Sequence, residues 1–215
     1  KGPRVVVHEN VQSMIAGAAH PLQQVETAEA VASGAREILR AAYANMAQLE
    51  TYEAQAEMNA EDGRKSIMTA SLAPGAVDLT LQGFDGRTER RVAYSAGFFV
   101  SSDNGKTWRR DADRATTEGL CRTLQAPVDA LAKIAADDEF IFKAMDIIND
   151  EELLRFESKA KEGEMPRAYW ILMSKAGPVV RIARLPQVFG ELKTDALFTY
   201  TRLGKEVQIA QPVAE

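Results

Sequence analysis

The chain has 215 residues, 46% of them apolar and 27% charged, with a formal net charge of −5. That balance excludes wholesale disorder and gives a nucleic acid no electrostatic foothold. One cysteine, Cys121, excludes an internal disulfide and a cysteine-built zinc site, and no apolar run is long enough to cross a membrane as a helix. Neither the lone thiol nor the lack of a leader in a chain that begins at Lys1 assigns a compartment.

Residues 1–26 read as an N-terminal arm, which carries both histidines, His8 and His20, outside any motif. A long helix is predicted from Thr27, a suitable N-cap, to Leu49. Val31, Ala35, Ile38, Ala42, Met46 and Leu49 trace one apolar stripe on it, widened by Leu39 and Tyr43. From Thr51 the period falls to two. Strands are predicted at 51–60, 64–72, 76–84, 89–95, 97–102 and 106–110, parted by turn pairs such as Asp62-Gly63, Pro74-Gly75 and Asp85-Gly86. Spacing this short describes an antiparallel meander. Val77, Leu79 and Leu81 share one face and Asp78, Thr80 and Gln82 the other, as a sheet with one wet side requires. The pairs Arg90-Arg91 and Arg109-Arg110 read as outward-facing.

A helical insert is expected over 112–139. Leu120 and Leu124 lie one turn apart, and Pro127 is placed to begin a second short helix with Val128, Leu131 and Ile134. Strands resume at 154–160, 169–173 and 179–185. The chain then closes on a hairpin, Leu197–Tyr200 against Val207–Ile209 around Leu203-Gly204-Lys205, expected to form the last edge of the sheet. That makes about eleven strands in one domain over 27–215.

Motifs for chemistry are few. Gly105-Lys106-Thr107 resembles a phosphate loop, but Val100 stands where its first glycine is needed. Ser102-Asp103-Asn104 lacks the companion motifs of a β-lactamase. Ser101 to Trp108 matches the Asp-box hairpin of propellers in a single copy, too few for a propeller. It is read as structural: Asp103 bonds the turn, Gly105 takes a positive φ and Trp108 clamps it. The acidic runs 137–139 and 150–152 lack calcium-loop spacing and are expected to solvate element ends. No nucleophile sits beside a base in a known signature, so no enzyme, metal or cofactor is expected.

What stands out is apolar excess on the strands. Phe98, Phe99, Val100, Trp108, Trp170, Leu172, Ile182, Phe198 and Tyr200 either pack beneath the helices or wall a hollow between helices and curved sheet.

The order of features resembles a family. A long helix enters Leu49-Glu50-Thr51-Tyr52, a meander carries the Asn104–Trp108 hairpin, and an insert follows. Trp170-Ile171-Leu172 then pairs across a turn with Val179-Val180-Arg181-Ile182, and the chain ends at Tyr200 to Pro212. Over 28–212 this is similar to the LolA-like lipoprotein-carrier fold, shared with mycobacterial lipoproteins of the LppX and LprG type. The N-terminal arm departs from the carriers. The resemblance implies an α+β fold: an unclosed, strongly curved antiparallel half-barrel covered by the long helix and the insert. It also implies a non-enzymatic protein of the periplasm or another extracytoplasmic space, soluble or lipid-anchored. Such a protein would hold a lipid or the acyl chains of a lipoprotein and contact a membrane surface. Leu79, Leu81, Phe99, Trp170, Leu172, Ile182, Phe198 and Tyr200 are the expected cavity residues. The alternative is an interaction module of the same fold with a closed core. Oligomeric state has no signature here.

Overall fold

The computed structural model describes residues 28–134, 140–160, 165–189, 192–209 and 211–212, with the side chains of 28–33 and 187–193 left aside. The arm over 1–26, the Thr27 cap and the acidic run 137–139 lie outside them.

Helix α1 (Ala28–Met46) buries Ala35, Ile38, Leu39, Ala42 and Met46, the stripe its spacing predicts. A meander follows: β1 (Tyr52–Ala60), β2 (Lys65–Ala73), β3 (Ala76–Gln82), β4 (Thr88–Tyr94), β5 (Gly97–Ser101) and β6 (Arg109–Arg110). Helix α2 (Arg114–Ala132) is the insert, and β7 (Phe140–Ile148), β8 (Glu151–Ser158), β9 (Ala168–Ser174), β10 (Gly177–Phe189) and β11 (Leu192–Thr201) form a second meander.

All eleven strands make one antiparallel sheet in the order β6-β5-β4-β3-β2-β1-β11-β10-β9-β8-β7. The two meanders join where β1 pairs with β11, from Glu53 opposite Thr201 to Ala60 opposite Thr194. The sheet does not close, and both helices lie on one of its sides, here called the helix side. The half-barrel expected from the sequence is therefore present.

Three expectations need correction. The strand Val207–Ile209 does not form. Strand β11 already pairs with β1 and β10, so it has no free edge for a hairpin partner, and it is central rather than an edge. The chain after it leaves the sheet: Gly204 N–H bonds the Thr51 carbonyl, and Pro212 is buried with its carbonyl accepting the Tyr94 hydroxyl at 3.3 Å. The strand that the sequence reading lacked is β7, whose alternation is broken by a bulge between Phe142 and Ala144. Pro127 starts no helix. It lies inside α2, where its missing N–H leaves the turn without one bond.

The core is a set of cross-strand rows. On the helix side one row runs Leu81, Met68, Ala56, Phe198, Ala183, Tyr169, Phe156, Phe142, each directly opposite the next on the adjoining strand. From Met68 to Tyr169 large side chains alternate with alanines, at Ala56 on β1 and Ala183 on β10, so α1 and α2 settle close over those strands.

Candidate ligand cleft between the insert helix and the sheet

Helix α2 is held at both ends of its crossing. Its first turn is capped by Asp113, whose Oδ1 accepts Thr116 N–H at 3.1 Å. Just beyond, Arg91 of β4 donates to Asp111 at 2.6 Å, to Glu89 at 2.5 Å and to the Thr117 hydroxyl at 3.4 Å. Arg91 is thus buried on the helix side, not outward-facing. Successive strand residues face opposite sides, so Arg90 and Arg91 cannot both point out. Farther along, three sheet tyrosines take hold. The Tyr200 hydroxyl donates to the Leu124 carbonyl at 2.7 Å, the Tyr169 hydroxyl donates to the Pro127 carbonyl at 3.1 Å, and Gln125 Nε2 donates to the Tyr52 hydroxyl at 3.0 Å. Burial pushes the Tyr200 phenol well above its ordinary range, and Tyr52 moves the same way. Both stay protonated, and Tyr200 remains a donor.

Between the Arg91 anchor and the tyrosines, α2 bridges a gap. Its lower wall is Val77, Ala93 and Phe98 at the ends of β3, β4 and β5, and its upper wall is Thr117, Cys121 and Gln125. The cleft has a volume of about 470 Å³, inside the range of small-molecule sites. Small residues on the floor, Ala76 and Ala93, leave the space that a larger side chain would fill. Glu118 and Arg122 stand at its rim, and Glu118 is tied to Arg114 at 2.5 Å. Burial raises the Cys121 thiol above its usual value, so it is a neutral, weakly polar wall rather than a thiolate. Among the described residues no group of His, Cys, Asp and Glu is arranged to hold a metal.

The eight residues expected to line one cavity do not share a face. Leu79 lies on the helix side in the row Leu79, Ala70, Ala54, Tyr200, and Leu81 and Phe198 lie there in the neighbouring row. Leu79, Phe198 and Tyr200 are fully buried core. Trp170 and Ile182 stand opposite each other on the far side, in register with Thr199 and Gln55, and Leu172 shares that side opposite Leu153. Trp170 Nε1 donates to Asp146 at 2.7 Å. Phe99, also on the far side opposite Val92, stacks on Tyr94 at 5.4 Å. Of the cleft residues, Ala93 and Gln125 carry no signal in the sequence, and Cys121 stands out there only as the single thiol. The face of Val77 was legible; which end of it stays uncovered depends on where α2 is tethered.

No protein-family model matches the chain, and no curated protein matches its sequence. Among solved structures it is similar to LprF from Mycobacterium bovis, with a TM-score of 0.55 and 12% identity over 85% of this chain and 98% of that one. It is likewise similar to the lipoprotein LppX from Mycobacterium tuberculosis, with a TM-score of 0.53 and 10% identity over 81% of this chain and 97% of that one. The half-barrel that the order of sequence features resembled is the fold this chain shares with LprF and LppX. At such identity the likeness concerns the fold.

Proposed function

We propose that this chain is a non-enzymatic, extracytoplasmic binding or carrier protein for a hydrophobic ligand, a lipid or a single acyl chain, held in the cleft between α2 and β3–β5. The observation that carries the reading is the cleft itself, an apolar hollow of about 470 Å³ on the helix side of the half-barrel, beside the packed core. The shared fold with the lipoprotein LppX supports the choice of ligand class and compartment. Val77, Ala93, Phe98 and Cys121 take the acyl chain, while Glu118, Arg122 and Gln125 meet its polar end at the rim. Leu79 and Leu81 continue the face of Val77 beneath α2; Phe198 and Tyr200 close the interior behind them.

Native mass spectrometry of gently purified protein tests this, followed by titration of delipidated protein with palmitate. A lipid-sized adduct, palmitate binding that slows alkylation of Cys121, and loss of both in Ala93→Phe are expected. No adduct, together with a Cys121 alkylation rate that palmitate leaves unchanged, overturns the reading. Thiol chemistry is a clean reporter because Cys121 is the only cysteine of the chain.

A further inference from the structure

The far side of the sheet carries a second groove, chemically opposite to the first. Two cross-strand rows lie next to each other there. One runs Thr201, Glu53, Ser71, Asp78, and the other Thr199, Gln55, Thr69, Thr80, Arg90. They floor a groove of about 380 Å³, overhung by Asn104 at the tip of the Asp103 hairpin. That space would hold on the order of a dozen waters.

Its chemistry is specific. Glu53 is matched by Arg202 at 3.6 Å, and Asp78 is matched by Arg90 at 2.5 Å, so the formal charges cancel and no net field selects an ion. Hydrogen bonding to Asp78 holds the Arg90 guanidinium firmly protonated. The hydroxyls of Ser71, Thr69, Thr80, Thr199 and Thr201 and the amide of Gln55 take no protein partner among the described residues. Each hydroxyl can donate and accept, and the amide does both. They repeat across neighbouring strands at about 4.8 Å, so the longer row spans roughly 19 Å over its four strand gaps. A floor of this kind offers paired donors and acceptors at intervals to a ligand that presents the same. It offers little apolar surface to a lipid. The longer row continues past Thr199 to Ile182 and half-buried Trp170, whose flat ring ends the polar stretch.

We propose that this groove binds an uncharged, polyhydroxylated chain, a short neutral oligosaccharide, independently of the apolar cleft on the other side. Hydroxyl pairs of the sugar bridge the two rows, and Asn104 closes over one end.

Calorimetric titration of the full chain with maltotriose, cellotriose and mannotriose tests it, each at low and high salt. At least one binds, with an affinity that salt leaves unchanged because the ligand carries no charge. Thr80→Val and Thr199→Val are near-isosteric and suit a strand. Each weakens binding roughly three- to tenfold, the effect of one lost hydrogen bond. Thr80→Val leaves palmitate binding as it was. Failure of all three sugars to bind, binding equal in both variants and the parent, or binding that salt abolishes overturns the proposal.

Discussion

At the scale of single residues, hydrogen bonds of short and long range separate what is visible in the chain from what is not. The Asp103 hairpin is local. Its carboxylate accepts Thr107 Oγ1 at 2.6 Å, Thr107 N–H at 2.9 Å and Lys106 N–H at 3.1 Å, which holds it well below the usual carboxylate range. Gly105 has φ of +86°, and Trp108 Nε1 closes on its carbonyl at 3.0 Å. All partners lie within a few residues, so the Asp-box pattern announces them. Tyr200 is the contrary case, because its acceptor Leu124 lies 76 residues away and no spacing could suggest it. Tyr200→Phe keeps the ring and deletes the donor. We expect a loss of about 0.5–1.5 kcal/mol in urea denaturation, the net worth of one buried hydrogen bond. That corresponds to a fall in Tm of roughly 2–4 °C per kcal/mol for a chain of this length.

At the scale of elements, capping and tethering explain both successes and misses. The stripe of α1 was legible because its period is carried by the residues themselves. Strand β7 was not, since the bulge after Phe142 shifts its face in mid-strand and hides the period. The docking of α1 rests partly on Gly177, the first residue of β10, with φ of +113°. Asn45 Nδ2 donates to the neighbouring Pro178 carbonyl at 2.8 Å, and a Cβ on Gly177 would come within 2.5 Å of that nitrogen. Gly177→Ala therefore both strains the backbone and displaces Asn45. We expect a cost of roughly 1–3 kcal/mol from strain alone, with the lost tether added. Gly63→Ala is the control. Its φ is +82° and its Cβ would meet nothing within 4 Å, so it reports strain without a tether. Equal losses of stability for the two variants would show that Asn45 contributes nothing.

At the scale of the molecule, the β1–β11 pairing is the seam that makes two meanders one domain. The core rows cross that seam without a break, and α2 packs on residues from both halves. Folding should therefore be cooperative across the whole sheet. The two tryptophans make this measurable, since Trp108 reports on the first meander and Trp170 on the second. Trp108→Phe and Trp170→Phe variants, each followed by its remaining tryptophan, should unfold in single transitions. After each variant is referenced to its own circular-dichroism midpoint, the fluorescence transition should coincide with it. A fluorescence midpoint displaced from the circular-dichroism one in either variant would mean that the meanders unfold separately.

By itself the sequence determined the apolar stripe of α1, the strands of the first meander, the single wet face of β3, the Asp103 hairpin and the order of features that resembles the half-barrel family. All of these are written in periodicity or in contacts a few residues long. Only the tertiary structure decided which strands are edges, which face Trp170, Leu172, Ile182 and Phe99 occupy, and where the interior stays open. Faces on β9 and β10 depend on registers that a bulge between Val180 and Ile182 resets, and the cleft depends on hydrogen bonds from distant tyrosines to α2. The count of eleven strands agreed with the expectation through two opposite errors. The unread β7 offset the C-terminal strand that cannot form, because a central strand has no edge left to pair.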